Sequence, residues 1–279
     1  FDNIEILTKN SKKRIHINQI KYQNKILKNK INLDLKTIIA KKFFKKINLF
    51  KIPILMGVLN LTPDSFSDGG KYTKKNLGYI HSKKMVKEGC KIIDIGGEST
   101  KPGSDEVQTK KEWKRINTTL KKLKKHNFFI SLDTRKSLIM EKGLKNKISL
   151  INDVSGLEHD PNTINVLKKS KIPFVIHHMQ GTPKTMQNNP NYKNVLLDIY
   201  DFFEEKIKLI REKKIKHNNI ILDPGIGFGK NLKHNITLIR QISIFHSLGF
   251  PIMLGLSRKR FIKDLSGLND SKERIGGTV

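Results

Sequence analysis

The stretch ILMGVLNLTPDSFSDGG, residues 54–70, decides the architecture. An apolar run (Ile54, Leu55, Met56, Val58, Leu59, Leu61) meets Asn60, Thr62, Pro63 and Asp64 and gives way to a loop rich in Ser, Asp and Gly. A continuous apolar run of this length suits a strand covered on both faces in a parallel sheet. Pro63 has no amide to donate and biases Thr62 away from helix, so the strand ends there.

The same pattern, an apolar run closed by polar residues, returns down the chain. Strands are predicted at residues 54–61, 92–97, 128–132, 148–151, 173–177, 220–222 and 251–256. Helices are predicted at 74–88, 108–125, 136–144, 162–170, 194–213, 234–246 and from about Arg258. Seven β-α units with parallel-type strands read as an α/β protein, a (β/α)8 TIM barrel rather than an open doubly wound sheet. The seventh helix is expected to be still running at Val279, with the eighth strand beyond it. A sheet left unclosed would expose the edges of its first and last strands.

Residues 1–50 read as an N-terminal extension of unassigned role, ahead of a barrel over 51–279. Short strands are expected at 4–7 and 14–17. KTIIAKKFFKKI, residues 36–47, reads as a basic amphipathic helix that packs Ile38, Ile39, Phe43 and Phe44 on the main body.

Composition narrows the classes of function. The chain has 279 residues and a formal charge of +30. Such a field attracts nucleic acid, anionic membrane or phosphorylated substrates. The lysines are spread over every predicted helix, however, and Lys, Ile and Asn are abundant together, as AT-rich coding DNA would produce. Solvated helix faces account for the charge better than a nucleic-acid surface does. No window reaches the ~20 apolar residues of a membrane span, and no signal peptide is visible at the start. Cys90 is the one cysteine, so no internal disulfide forms, and a reducing cytoplasm is expected.

In a barrel of this kind the reactive groups sit at the carboxyl ends of the strands. Those ends supply Asn60, Thr62 and Asp64; Glu98-Ser99-Thr100-Lys101-Pro102-Gly103-Ser104; Asp133-Thr134-Arg135; Asn152-Asp153; His177-His178; Asp223 with the glycine-rich run to Lys230; and Ser257-Arg258-Lys259. Strand termination alone would favour Gly and Ser over this run of Asp, Asn and Lys. Asp133, Asn152 and Asp223 present acceptors at depth and Lys259 a donor, which matches a flat nitrogen heterocycle with N–H groups on one edge. Asn60, Thr62, Thr100, Lys101 and Ser104 suit an anion at the rim with Mg²⁺, which prefers oxygen ligands and keeps several waters. Two motifs fail on inspection. Gly225-Ile-Gly227-Phe-Gly229-Lys230-Asn231 has neither P-loop nor GxGxxG spacing. His177-His178 has no partner at Zn²⁺ spacing, and alternation turns one ring inward and the other to the helix layer.

MGVLNLTPDSFSDGG, IDIGGESTKPGS, SLDTRK, INDVSG, HHMQGTPKTMQ, LDPGIGFGKN and GLSRKRFI, in this order, resemble the dihydropteroate synthase family over residues 51–279. The resemblance implies a TIM barrel, a transferase of folate biosynthesis and a sulfonamide target. It implies a pterin pocket at Asp133, Asn152, Asp223, Phe228 and Lys259, and a metal-binding Asn60 that meets Mg²⁺ and the diphosphate. Phe66 would lie on the first loop and Thr100 and Lys101 on the second, with Pro102, Ser257 and Lys259 around 4-aminobenzoate. Asp133, Asp223 and Lys259 would carry catalysis, on small-molecule substrates, in a homodimer.

Two departures stand out. Lys101 replaces the family's usual Arg, and the family's Arg-x-His on strand eight is expected beyond Val279; a chain lacking it should bind pterin poorly and turn over little. The alternatives are an inactive pterin-binding paralogue, a folate-dependent methyltransferase barrel, and a nucleic-acid-binding protein. The two loops TPDSFSDGG and ESTKPGS argue against the methyltransferase, whose chemistry has no diphosphate to hold.

Overall fold

A computed structural model describes residues 2–45, 47–49, 53–62 and 76–277. The chain begins with an antiparallel hairpin, β1 (Asn3–Leu7) and β2 (Lys12–His16). Helix α1 (Lys25–Ile39) follows, capped by Asn24, whose side chain accepts from the Leu27 amide at 2.9 Å. Ile15, Ile20 and Ile31 form a small core of their own with Leu27 and Leu35. Next comes a second, minimal hairpin, β3 (Phe43–Phe44) and β4 (Ile47–Asn48).

The helix expected at 36–47 is therefore displaced. It begins at Lys25 and ends at Ile39, and Phe43-Phe44 lies in the hairpin. Leu27, Ile31 and Leu35, four residues apart, supply the face that α1 buries, and Ala40 is extended with ψ 136°.

The main body alternates strand and helix. It runs β5 (Met56–Asn60), α2 (Leu77–Lys87), β6 (Ile92–Gly96), α3 (Thr109–Leu123), β7 (Phe129–Asp133), α4 (Ser137–Leu144) and β8 (Leu150–Asp153). It continues through α5 (Thr163–Ser170), β9 (Phe174–His177), α6 (Val195–Glu212), β10 (Ile220–Asp223), α7 (Leu232–Arg240) and α8 (Arg260–Ser266). The strands pair in sequence order, all parallel, as one six-stranded sheet from β5 to β10. This is the predicted α/β barrel arrangement, with two adjustments. The seventh strand shrinks to a single parallel bridge between Leu222 and Ile252, and the described residues hold no strand that closes the sheet. The seventh helix also stops early, at Ser266, where Gly267 turns the chain with φ +74°. Val58 on β5 is 53% exposed and Leu254 39%, at the two sides where no strand among the described residues pairs.

Each strand has two faces. Gly57 turns outward: a Cβ there would meet Met85 of α2 at 2.7 Å. The outward residues Leu59, Ile93, Ile95, Leu132, Ile151, Ile176 and Leu222 pack on the helices as the main core. The inward residues near the strand starts, Met56, Ile92, Phe129, Leu150, Val175 and Ile221, form a second cluster. The β3–β4 hairpin stoppers this floor: Phe44, 3% exposed, meets Phe129 edge-on with centroids 5.3 Å apart. One period further along β6 to β10, the inward residues become Asp94, Ser131, Asn152, His177 and Asp223, and Asp133 stands one period beyond Ser131. The floor is sealed and the mouth is polar.

Candidate active site

The inward polar residues converge because parallel strands in register bring equivalent positions to one level. Asn60 pairs with Gly96, Gly96 with Asp133, Asp133 with Asn152, and Asp223 with His177. Gly96 is the opening among them: a Cβ there would lie 3.2 Å from Asp133 Oδ2 and 3.4 Å from Asn60 Oδ1. Two oxygens from neighbouring strands thus lean over one bare backbone position.

Asn152 donates from Nδ2 to Asp94 Oδ2 at 3.0 Å. Asp94 Oδ1, Asn152 Oδ1 and Ser131 Oγ are buried without a hydrogen-bond partner in the protein. Burying an acceptor unpaired costs about 1–3 kcal/mol. Burial raises the pKa of Asp94. It also raises Asp133 well above the usual carboxylate range, with further upward pressure from Asp94, Glu112, Asp153 and Glu98.

Asp94 was passed over in the sequence. It stands third in IIDIGG, as a lone charge within an apolar strand at an inward position, and that alternation was the signal that could have found it.

The opposite wall is built on the glycine-rich turn after β10. Asp223 Oδ1 accepts from the Gly225 amide at 2.7 Å. Gly225, Gly227 and Gly229 all have positive φ, and at Gly225 a Cβ would fall 1.9 Å from the carbonyl oxygen of His178, so only glycine fits. The turn presents Phe228. Lys259 Nζ lies 4.5 Å from the centre of that ring and donates to the Ile226 carbonyl. Burial lowers Lys259 to about 8, against an upward pull from Asp223. His177 stands edge-on to Phe228 at 4.6 Å and its Nδ1 bonds the Val154 carbonyl at 3.0 Å. Burial holds His177 down at about 4, so it is neutral at pH 7. His178 faces the helix layer, against Phe202 of α6 and Lys230, as alternation predicts.

The predicted residues fall in four places. Asp133, Asn152, Asp223, Phe228, Lys259 and Asn60 come together at the mouth. Thr100 and Lys101, both half-buried, and the exposed Pro102 lie on the loop between β6 and α3. Ser257 is exposed, two residues before Lys259. Phe66 lies outside the described residues.

A buried ion network anchors the loop that carries Thr100 to Pro102. Glu98 accepts from Arg135 Nε at 2.9 Å, from Lys136, and from the Val107 amide at 2.8 Å, so it ties both ends of the loop. Lys136 also reaches Glu112 of α3 at 2.8 Å, and Thr134 donates to Glu112 at 2.6 Å. Burial pushes Glu98 up, but Lys136, the Val107 amide and Arg135 outweigh it and hold it below its ordinary value.

Comparison with known proteins agrees with this geometry. Residues 56–279 match the family model described as pterin binding enzyme, and the chain belongs to that family. Dihydropteroate synthase from Synechocystis is 40% identical over 225 residues, 80% of this chain and 78% of that protein. The Yersinia pestis dihydropteroate synthase, solved with a sulfonamide drug, superposes with a TM-score of 0.80 at 35% identity, covering 85% of this chain and 86% of that one. The Xanthomonas albilineans dihydropteroate synthase with 4-aminobenzoic acid gives a TM-score of 0.76 at 33% identity, covering 83% and 82%. Within the pterin-binding enzymes, the chain falls among the dihydropteroate synthases, transferases of folate biosynthesis. Among the described residues, no helix is long and apolar enough to cross a membrane.

Proposed function

We propose that this chain condenses (7,8-dihydropterin-6-yl)methyl diphosphate with 4-aminobenzoate, giving 7,8-dihydropteroate and diphosphate. The observation that carries the reading is the pair of buried, unpartnered acceptors, Asp94 Oδ1 and Asn152 Oδ1, beside Asp133 and Asp223. A pterin edge rich in N–H groups would satisfy them together, and a protonated Lys259 would meet its carbonyl. Phe228 would cover one face of the ring.

Thr100, Lys101, Pro102 and Ser257 would hold the diphosphate and 4-aminobenzoate, with Phe66 on the preceding loop. Asn60 Oδ1 with Asp133 Oδ2 fits Mg²⁺, a hard ion content with few protein oxygens. When bound, Mg²⁺ would neutralise charge on the diphosphate.

The chemistry is displacement at carbon. Electron release from the dihydropterin ring weakens the bond between the methylene carbon and the diphosphate oxygen. That bond breaks, the arylamine nitrogen bonds to the carbon, and the amine proton leaves afterwards. No strong base is required, which suits a mouth whose histidine is neutral. Asp133 and Asp223 would stabilise the cationic carbon and ring, and Lys101 the departing diphosphate. The free thiol of Cys90 suits a cytoplasmic enzyme, and the family resemblance a homodimer.

Incubation with both substrates should yield dihydropteroate and diphosphate in equal amounts. Tight pterin binding without product would instead favour an inactive paralogue, and no response to pterin would overturn the reading.

A further inference from the structure

The segment between β9 and α6, residues 178–194, touches both halves of the mouth. Its base is pinched shut by Gln180, which donates to the Asn191 carbonyl at 2.8 Å and accepts from the Asn191 amide at 2.9 Å. Its tip is a compact turn, with the Met186 amide on the Thr182 carbonyl at 2.7 Å and Thr185 Oγ1 accepting from the Thr182 amide at 3.1 Å. Pro183 and Met186 are buried. These bonds and the two buried side chains give the segment a defined shape.

From this fixed form it reaches two ways. On one side the Pro183 carbonyl accepts from the Gly103 amide at 3.0 Å and Lys184 pairs with Asp105 at 2.9 Å. Gly103 directly follows Thr100-Lys101-Pro102. On the other side Gln187 Nε2 donates to the Gly227 carbonyl at 3.0 Å and the Tyr192 hydroxyl to the Gly229 carbonyl at 2.7 Å. Gly227 and Gly229 flank Phe228.

The glycine turn depends on these bonds. Its carbonyls are taken in succession: Gly225 by the Phe228 amide, Ile226 by Lys259, Gly227 by Gln187, Phe228 by Lys230 and Gly229 by Tyr192. Three glycines at positive φ leave the turn little conformational preference of its own, so side chains from outside set its shape. Two of those side chains belong to the segment that also holds Gly103.

We propose that residues 178–194 act as a strap that sets the Phe228 wall and the Thr100–Lys101–Pro102 loop against each other, with Gln187 and Tyr192 as positioning residues for both substrates. The inference rests on the pterin and 4-aminobenzoate reading above. Neither side chain needs to touch the reacting atoms. Each acts through backbone carbonyls that it fixes.

The test is a split of kinetic constants. Gln187→Ala should raise KM for the pterin diphosphate and KM for 4-aminobenzoate, each about 5- to 10-fold, with kcat within about 3-fold. Tyr192→Phe removes one hydroxyl, keeps the ring and should act in the same direction to a smaller extent, which serves if the alanine variant folds poorly. A rise in the pterin KM alone would mean that Gln187 merely supports Phe228 locally, and would overturn the strap, as would no change in either KM. An unaltered chain that makes no dihydropteroate would overturn the proposed reaction, and this inference with it.

Discussion

The two ends of the same sheet are built on opposite principles. At the floor, inward residues are apolar and packed, and Phe44 closes them off. At the mouth, further along the same strands, inward residues are Asp, Asn, Ser and His, and Asp94, Asn152 and Ser131 each bury a polar atom that has no hydrogen-bond partner in the protein. The floor stabilises the fold. The mouth weakens it, because an acid whose folded-state pKa is raised loses stability as pH climbs through the interval above its ordinary value, and both Asp94 and Asp133 are raised. Such groups persist where a ligand completes them, which is why the mouth rather than the larger hydrophobic core identifies the site.

The sharpest way to break the comparison is Asp223→Asn. The amide oxygen can still accept from the Gly225 amide, so the turn survives while the negative charge disappears. Loss of a charge aimed at a developing cation should lower kcat by about 10²- to 10³-fold, with the thermal midpoint nearly unchanged. Unchanged turnover with an intact unfolding transition would remove Asp223 from catalysis.

The floor should answer in the other direction. Phe44→Ala empties a site that is 3% exposed, and a buried Phe→Ala change typically costs about 3–5 kcal/mol. Denaturant unfolding should show that loss, while activity per folded molecule stays near the parent value. A large drop in specific activity would mean that floor and mouth are not separable.

Lys259 lets pH separate the two effects within one residue. Its pKa is lowered to about 8, against an ordinary value near 10.5. Between those values the unfolded chain holds more protons, so this group's contribution to stability rises with pH there. Its use as a donor goes the other way: kcat/KM should fall as pH rises through about 8. Lys259→Met should abolish that limb of the profile. A limb that survives the substitution belongs to another group.

These contrasts were legible in the sequence to different degrees. The polar strand ends showed themselves because each interrupts an apolar run, and Asp133, Asn152, Asp223 and Lys259 came from that signal alone. Asp94 escaped because it lies one period deeper, inside the run. The floor was less visible. A two-residue hairpin such as β3–β4 has almost no local signal, and KKFFKKI carries helix-like spacing. What holds Phe44 is Phe129, some 85 residues away and not readable from neighbours. The strand at 251–256 read as apolar and extended, yet pairing is a property of the neighbouring strand, and only Ile252 finds one. The double attachment of residues 178–194 was equally hidden, since backbone carbonyls are the acceptors and carry no sequence mark.

The mildest test concerns the rim. Lys101 stands where the resembling family usually has Arg, on a loop whose two ends are tied by the Glu98 network and whose middle, at Gly103, is held by the Pro183 carbonyl. An ammonium meets a diphosphate as a point charge, whereas a guanidinium offers two parallel N–H bonds in one plane. In the proposed site the exchange would alter how this side chain meets the diphosphate. Lys101→Arg should therefore lower KM for the pterin diphosphate by about 3-fold and leave KM for 4-aminobenzoate and kcat within about 2-fold. The salt dependence of the pterin KM should be retained, because the charge is the same. An unchanged pterin KM would place the Lys101 charge away from the diphosphate and leave the rim's anion grip to other residues.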